Sequence, residues 1–341
     1  MARTKQRNIQ LGTSPPDQRP GPVLKNQPGF PLGIDHESIF WNEEKHRFRA
    51  IELDANSVLV LPESLLSPKD PEDVRAMETF DEDEWEGTEG CYKTTIIYEQ
   101  IGEAHPHIVA FKGRDPWTSF PVLAKPSNLP LDAFMAKYKA TMYSAPHDAL
   151  ASRILPSHRP VAYQWALHLI DGIGFAHAHD VILADFDASQ CWLSSDPHLT
   201  LSLAGFLHAS FSYTVQRGRI IPASVPSNRS IFHPLVDGGD ATKQTDLFMF
   251  GCVLFEIMTG FWPSKHFDSR SWDEREAIVR RKEWPPLEDE FMGKIVRECW
   301  NNQFDSTEQV TAALVLFVQD LGWEVDEKSN LKDFDAAALF S

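Results

Sequence analysis

The stretch of this 341-residue chain with the most concentrated chemical potential is ILADFDASQCWL, residues 182–193. It sets two carboxylates, Asp185 and Asp187, close to an amide, Gln190. Carboxylates accept protons from hydroxyls and bind hard cations through oxygen. Other reactive types are dispersed. The thirteen histidines are scattered, and His177 and His179 stand i, i+2, which does not present one face of a helix. No metal site is expected. The four cysteines, Cys91, Cys191, Cys252 and Cys299, form no C-x-x-C pair. That argues against a disulfide framework or a zinc knuckle and for a reducing compartment.

The elements that must hold this loop can be read on either side of it. Upstream, SIFW, HRFRAIEL and SVLVLP alternate as short strands do. The acidic run METFDEDEWEGTEG, with its charges from Glu78 to Glu89, reads as a solvated loop. TTIIYEQI reads as a short helix, and HPHIVAF as a turn leading into a strand. Around the loop and beyond it the chain is helical. RPVAYQWALHLIDGIGFAHAH places Val161, Trp165, Leu169 and Ile173 on one face. TKQTDLFMFGCVLFEIMTG is apolar nearly all round, as a buried helix is. DSTEQVTAALVLFVQDLG opens on a capping-box pattern, Ser306 with Gln309, and stops at Gly322. Its expected core stripe is Val310, Leu314, Phe317 and Leu321.

Residues 1–35 are Pro-rich, polar and locally basic, and cannot bury enough apolar surface to order themselves. A disordered tail is expected there, one domain over 36–322, and a C-terminal tail over 323–341. The net charge of −17 is set to repel nucleic acid and anionic membranes. No apolar run reaches membrane-spanning length and no leader-like apolar segment opens the chain. An intracellular protein, cytoplasmic or nuclear, with no membrane and no nucleic-acid partner, is the expectation.

Five segments carry a resemblance. IYEQIGEAHPHIVAFKG, AHDVILADFDASQCWL, LTLSLAGF, TKQTDLFMFGCVLFEIMTG and IVRECW follow one another as in protein kinases. The resemblance covers roughly residues 36–322. It implies an α+β, bilobal protein-kinase fold: a small strand-rich N-lobe over about 36–120 and a larger helical C-lobe over about 127–322.

The resemblance also assigns roles, and many positions depart from the family pattern. Asp185 stands where kinases keep the base that accepts the hydroxyl proton. Ala184 stands where an arginine receives an activation-loop phosphate. Gln190 replaces the metal-binding asparagine. Asp187 replaces a lysine that attracts phosphate, and its carboxylate would repel it. In LSLAGF, Gly205 replaces the aspartate of D-F-G, the principal metal ligand. The ATP-pairing lysine is matched by Val60 and its glutamate partner by Thr94. Lys93 and Lys45, the possible substitutes, read as solvated surface lysines. No glycine lies between Ile34 and Glu86, where a phosphate loop belongs. GTEGCYK, which mimics the end of such a loop, leaves too few residues before HPHIV for a strand and a helix. Trp192 lies beneath the adenine position, where its indole either fills the pocket or turns into the core. Leu235 replaces the glutamate of A-P-E, and no arginine lies near Trp300 to pair with it.

The positions that keep the scaffold are retained. Tyr98, Phe111, Phe206 and Leu183 match the apolar column that runs through both lobes of an active kinase, and Asp246 matches the buried aspartate that anchors it. The expectation is therefore a catalytically impaired kinase-like protein acting as a scaffold or allosteric partner of other proteins, with no cofactor. The alternative is an atypical serine/threonine kinase, using ATP and Mg with Asp185 as base and Asp187 and Gln190 as metal ligands. A third reading comes from the N-terminus: after loss of Met1, Ala2 to Gln6 would resemble the start of histone H3, which an H3-tail reader could capture.

Overall fold

The three strand-like runs fold into a meander in a computed structural model, which describes residues 39–43, 48–62, 82–211 and 240–341. Strands β1 (Ile39–Glu43), β2 (Phe48–Asp54) and β3 (Ser57–Pro62) pair antiparallel with their neighbours. The β2–β3 turn is tied by the Asp54 carboxylate, which accepts from Asn56 N at 2.7 Å and Ser57 Oγ at 2.6 Å. Strands β4 (Phe111–Arg114) and β5 (Pro121–Ala124) complete a five-stranded sheet in the order β1-β2-β3-β5-β4. Every residue of β3 is buried, because it lies between β2 and β5 with a helix across the sheet.

That helix, α1 (Glu82–Ile101), corrects two expectations. The acidic run was expected to be a loop, yet from Glu82 onward it is helical. Two glycines in the middle of the run weigh against a helix by about 1 kcal/mol each. Packing overrides that penalty. A Cβ on Gly90 would stand 2.8 Å from Leu207 O and 2.9 Å from the Phe48 ring, and one on Gly87 would stand 2.9 Å from Pro62 Cβ. Glycine alone lets the helix approach that closely, so GTEGCYK is a packing face and not a phosphate loop.

The C-lobe contains helices α2 (Leu131–Lys137), α3 (Lys139–Met142), α4 (Arg159–Ala178), α5 (Lys243–Thr259), α6 (Trp272–Arg280), α7 (Gly293–Trp300) and α8 (Thr307–Asp320). Short strands β6 (Val181–Ile182) and β9 (Ser210–Phe211) pair, as do β7 (Cys191–Leu193) and β8 (Leu201–Leu203). Val161, Trp165, Leu169 and Ile173 are wholly buried on α4. Helix α5 is buried almost throughout; a Thr242–Thr245 capping box starts it and Gly260, at φ +77°, ends it. On α8 two expectations fail. Ser306 is the N-cap residue but its side chain makes no cap bond; Gln309 Oε1 instead accepts from Asp305 N at 2.8 Å. Leu321 is 51% exposed, and Val318 takes its place in the stripe with Val310 and Leu314.

Residues 323–341, expected as a trailing tail, pack against the C-lobe. Leu331 and Ala336 are fully buried. Leu331 N donates to Gln164 Oε1, Ala337 N donates to Pro197 O, and the Phe340 ring sits 4.8 Å from Phe134 and 4.9 Å from Tyr138. The basic tail over 1–35, with Ala2 to Gln6, lies outside the described residues, as do Lys45, Leu235 and the acidic run before Glu82. No helix among the described residues is long and apolar enough to cross a membrane.

Candidate functional site

The loop over residues 182–193 is fixed by one carboxylate. Asp246, in the first turn of α5, is wholly buried. Its Oδ1 accepts from Ala184 N at 2.8 Å, and its Oδ2 accepts from Leu183 N at 2.8 Å and faces His177 Nε2 at 2.8 Å. A buried ion needs several partners to offset its desolvation, and Asp246 has three. The grip holds Ala184 at φ +67°, a left-handed turn that non-glycine residues seldom adopt. His177, weighed from the sequence only as a metal ligand, turns out to be the third partner. The signal available was its place one turn before the loop.

Past that turn, Asp185 is half-buried. Asp187 caps the 3-10 turn Ala188–Gln190, its Oδ1 accepting from Ser189 N at 2.9 Å and Ser189 Oγ at 2.6 Å. The carboxylate that replaces lysine is thus engaged in shaping the loop. Gln190 is buried, and its carbonyl accepts from Ala204 N at 2.7 Å, which ties the loop to the strand leading to Gly205.

Gly205 has φ +85°, and a Cβ placed there would lie 3.5 Å from Thr94 Cγ2. Thr94 is fully buried on α1, and its Oγ1 accepts from Phe206 N at 3.3 Å. The position matched to a glutamate therefore touches the position matched to an aspartate, with no charge on either. Val60 is buried within β3. Lys93 is not the surface lysine expected: it is 2% exposed, with Nζ 4.0 Å from Glu89 Oε1. The preceding turns of α1 press onto the domain, so its stem faces inward.

Three members of the expected apolar column meet. The Tyr98 ring stacks on Phe111 at 5.1 Å and an interplanar angle of 5°, and meets Phe206 at 5.0 Å. Leu183 and Phe206 are buried. Burial pushes the Tyr98 phenol far up, against a small opposing pull from the nearby Gly205 N–H. That N–H lies outside hydrogen-bond geometry, and the hydroxyl has no hydrogen-bond partner among the described residues. Trp192 is 1% exposed on β7, paired with Ser202 and bridged to Pro130 ahead of α2. Among the described residues, no group of three His, Cys, Asp or Glu side chains converges on a point where a metal could sit.

A family model for protein tyrosine and serine/threonine kinases matches residues 133–313, just over half of the chain. The chain belongs to the protein kinase family. The matched span contains Asp185, Gln190, Gly205 and Asp246, while Val60, Thr94, Tyr98 and Phe111 lie upstream of it on the five-stranded sheet and its helix. The kinase domain is similar to a probable serine/threonine-protein kinase of Dictyostelium discoideum, 23% identical over 158 residues, which are 46% of this chain and 16% of that protein. It is also similar to salt tolerance receptor-like cytoplasmic kinase 1 of Oryza sativa subsp. japonica, 35% identical over 80 residues, which are 24% of this chain and 22% of that protein. The chain spans less than a quarter of the length of these relatives in either match. The groups that shape the loop over 182–193 are in place, and positions 187, 190 and 205 carry a carboxylate, an amide and no side chain.

Proposed function

We propose that this kinase domain is catalytically impaired and works as an intracellular scaffold or allosteric partner of other proteins. One observation carries the reading: Gly205, which the resemblance matches to the metal-binding aspartate, has no side chain, and uncharged Thr94, matched to the glutamate that would pair with the ATP-binding lysine, lies against it. Phosphoryl transfer relies on metal ions to neutralise charge developing on the phosphates. The donors at hand do not fit a magnesium–nucleotide complex. Asp187 caps its own turn, Gln190 is buried, and Gly205 offers no side chain. No step is therefore routed through such a complex. The apolar column supports the same reading. Burying a Leu-sized group contributes about 1.5–3 kcal/mol, so Tyr98, Phe111, Phe206 and Leu183 hold the lobes together without a ligand between them. Four buried, free cysteines suit a reducing compartment.

The test is thermal unfolding with millimolar ATP, with and without Mg²⁺. No shift is expected. Ligand at one hundred times its Kd would add about 2.7 kcal/mol, worth several degrees for a domain this size, and a metal-dependent rise of that order would overturn the proposal. The atypical-kinase reading is favoured by one observation, the intact grip of Asp246 on the loop that presents Asp185. It requires phosphate incorporation that Asp185→Asn abolishes. Incorporation equal in the two proteins would exclude it.

A further inference from the structure

Two buried histidines hold the C-terminal segment, and the hydrogen bonds of one of them fix it as a neutral tautomer. His107 lies in the loop between α1 and β4, 1% exposed. The loop is pressed onto α4 at Gly172, where a Cβ would stand 2.6 Å from His107 O. His107 Nδ1 is 3.0 Å from Leu201 O, and its Nε2 is 3.1 Å from Lys328 O and 3.6 Å from Asp171 Oδ2. Both nitrogens face oxygen acceptors.

His168 differs. Its Nδ1 accepts from Leu201 N at 3.2 Å, so that nitrogen carries no proton. Its Nε2 lies 3.1 Å from Asn330 Oδ1. The orientation of that amide is set by Asp326, whose Oδ2 accepts from Asn330 Nδ2 at 3.1 Å. His168 is therefore the neutral Nε2–H tautomer. The two rings stack at 4.3 Å with planes 16° apart, and each grips residues 323–341, one at Lys328 O and the other at Asn330.

We propose that residues 323–341 form a strap whose hold on the kinase domain is controlled by the proton count of His168, which stacks on His107, and which acid releases. A second proton on His168 would expel the Leu201 N–H, which has that nitrogen as its acceptor. The charged and titratable groups around the pair are Asp171 of α4, Glu103 and His105 ahead of β4, His179 after α4, Asp196 and His198 between β7 and β8, and Asp326 and Lys328 of the strap. Burial, with His107 next, holds His168 well below the usual histidine range, against the Asn330 bond and Asp196. Because the released ring takes a proton that the clasped ring refuses, strap stability is full above about pH 6.5 and falls as pH drops below it.

The experiment is hydrogen exchange by mass spectrometry on the full chain from pH 7.5 to 5.5, with α5 peptides as the internal reference for intrinsic rate. One linked proton raises strap opening by up to about tenfold per pH unit below 6.5, and α5 stays unchanged. In His168→Gln the amide can accept from Leu201 N and donate to Asn330 without titrating, so the strap profile becomes flat. A flat profile in the wild type, or an undiminished slope in His168→Gln, overturns the proposal. If the variant fails to fold, ¹⁵N-histidine NMR of the wild type decides: His168 as the Nε2–H tautomer at pH 7.5 supports the clasp, and an Nδ1–H tautomer sinks it.

Discussion

Asp246→Asn isolates the group on which the catalytic loop rests. The substitution preserves volume and removes charge. In the best orientation the amide oxygen replaces Oδ2 and keeps Leu183 N and His177 Nε2, each at 2.8 Å. The amide NH₂ then replaces Oδ1 and meets Ala184 N, a donor, at 2.8 Å. A hydrogen bond to a charged group is worth about 1.5–3 kcal/mol, and a neutral one about half of that. Losing one bond and halving two gives a cost of roughly 3–6 kcal/mol, close to the range of about 3–5 kcal/mol for breaking a buried charge pair. Single domains have about 5–15 kcal/mol of stability in total, so the change is readily measured. Urea unfolding followed by circular dichroism should show a lower midpoint at unchanged m-value. A loss below about 1 kcal/mol would refute the premise that this carboxylate holds the loop.

The same grip forces Ala184 to φ +67°, so Ala184→Gly should raise stability by about 1 kcal/mol in the same assay, because glycine enters that region without strain. Tyr98→Phe removes a buried hydroxyl that lacks a hydrogen bond and should be neutral or stabilising by about 1 kcal/mol, whereas Tyr98→Ala should cost about 3–5 kcal/mol through the cavity left between Phe111 and Phe206. Leu331→Ala should cost about 2–5 kcal/mol, measured by thermal unfolding, if residues 323–341 belong to the cooperative domain. Gly172→Ala should destabilise by more than 1 kcal/mol, since its Cβ would meet backbone rather than a movable side chain.

Much of the domain was legible because its elements follow simple periods. β2 and β3 are short runs rich in apolar residues, and α4 and α5 carry unbroken apolar faces. The departures at Gly205, Gln190 and Asp187 were legible too, since a side chain's charge is written in its letter. What resisted reading has a common cause. Gly87 and Gly90 look like helix breakers until Leu207 O, Phe48 and Pro62 are found against them. Lys93 looks solvated until α1 is seen to bury it. Ser306 and Gln309 spell a capping box that the backbone around Asp305 does not form. Each depends on a partner distant in sequence or on the local path of the backbone.

Amino-acid types alone determined the family resemblance, the order of the elements and the absence of an acidic side chain at 205, because motif spacing and side-chain charge are local properties. Only the tertiary structure decided that Asp246 is shared by Leu183, Ala184 and His177, and that Thr94 lies against Gly205. It also decided that residues 323–341 close over a pair of histidines sixty-one positions apart. Hydrogen bonds and burial depend on which groups meet in space, and that is settled only when the whole chain packs.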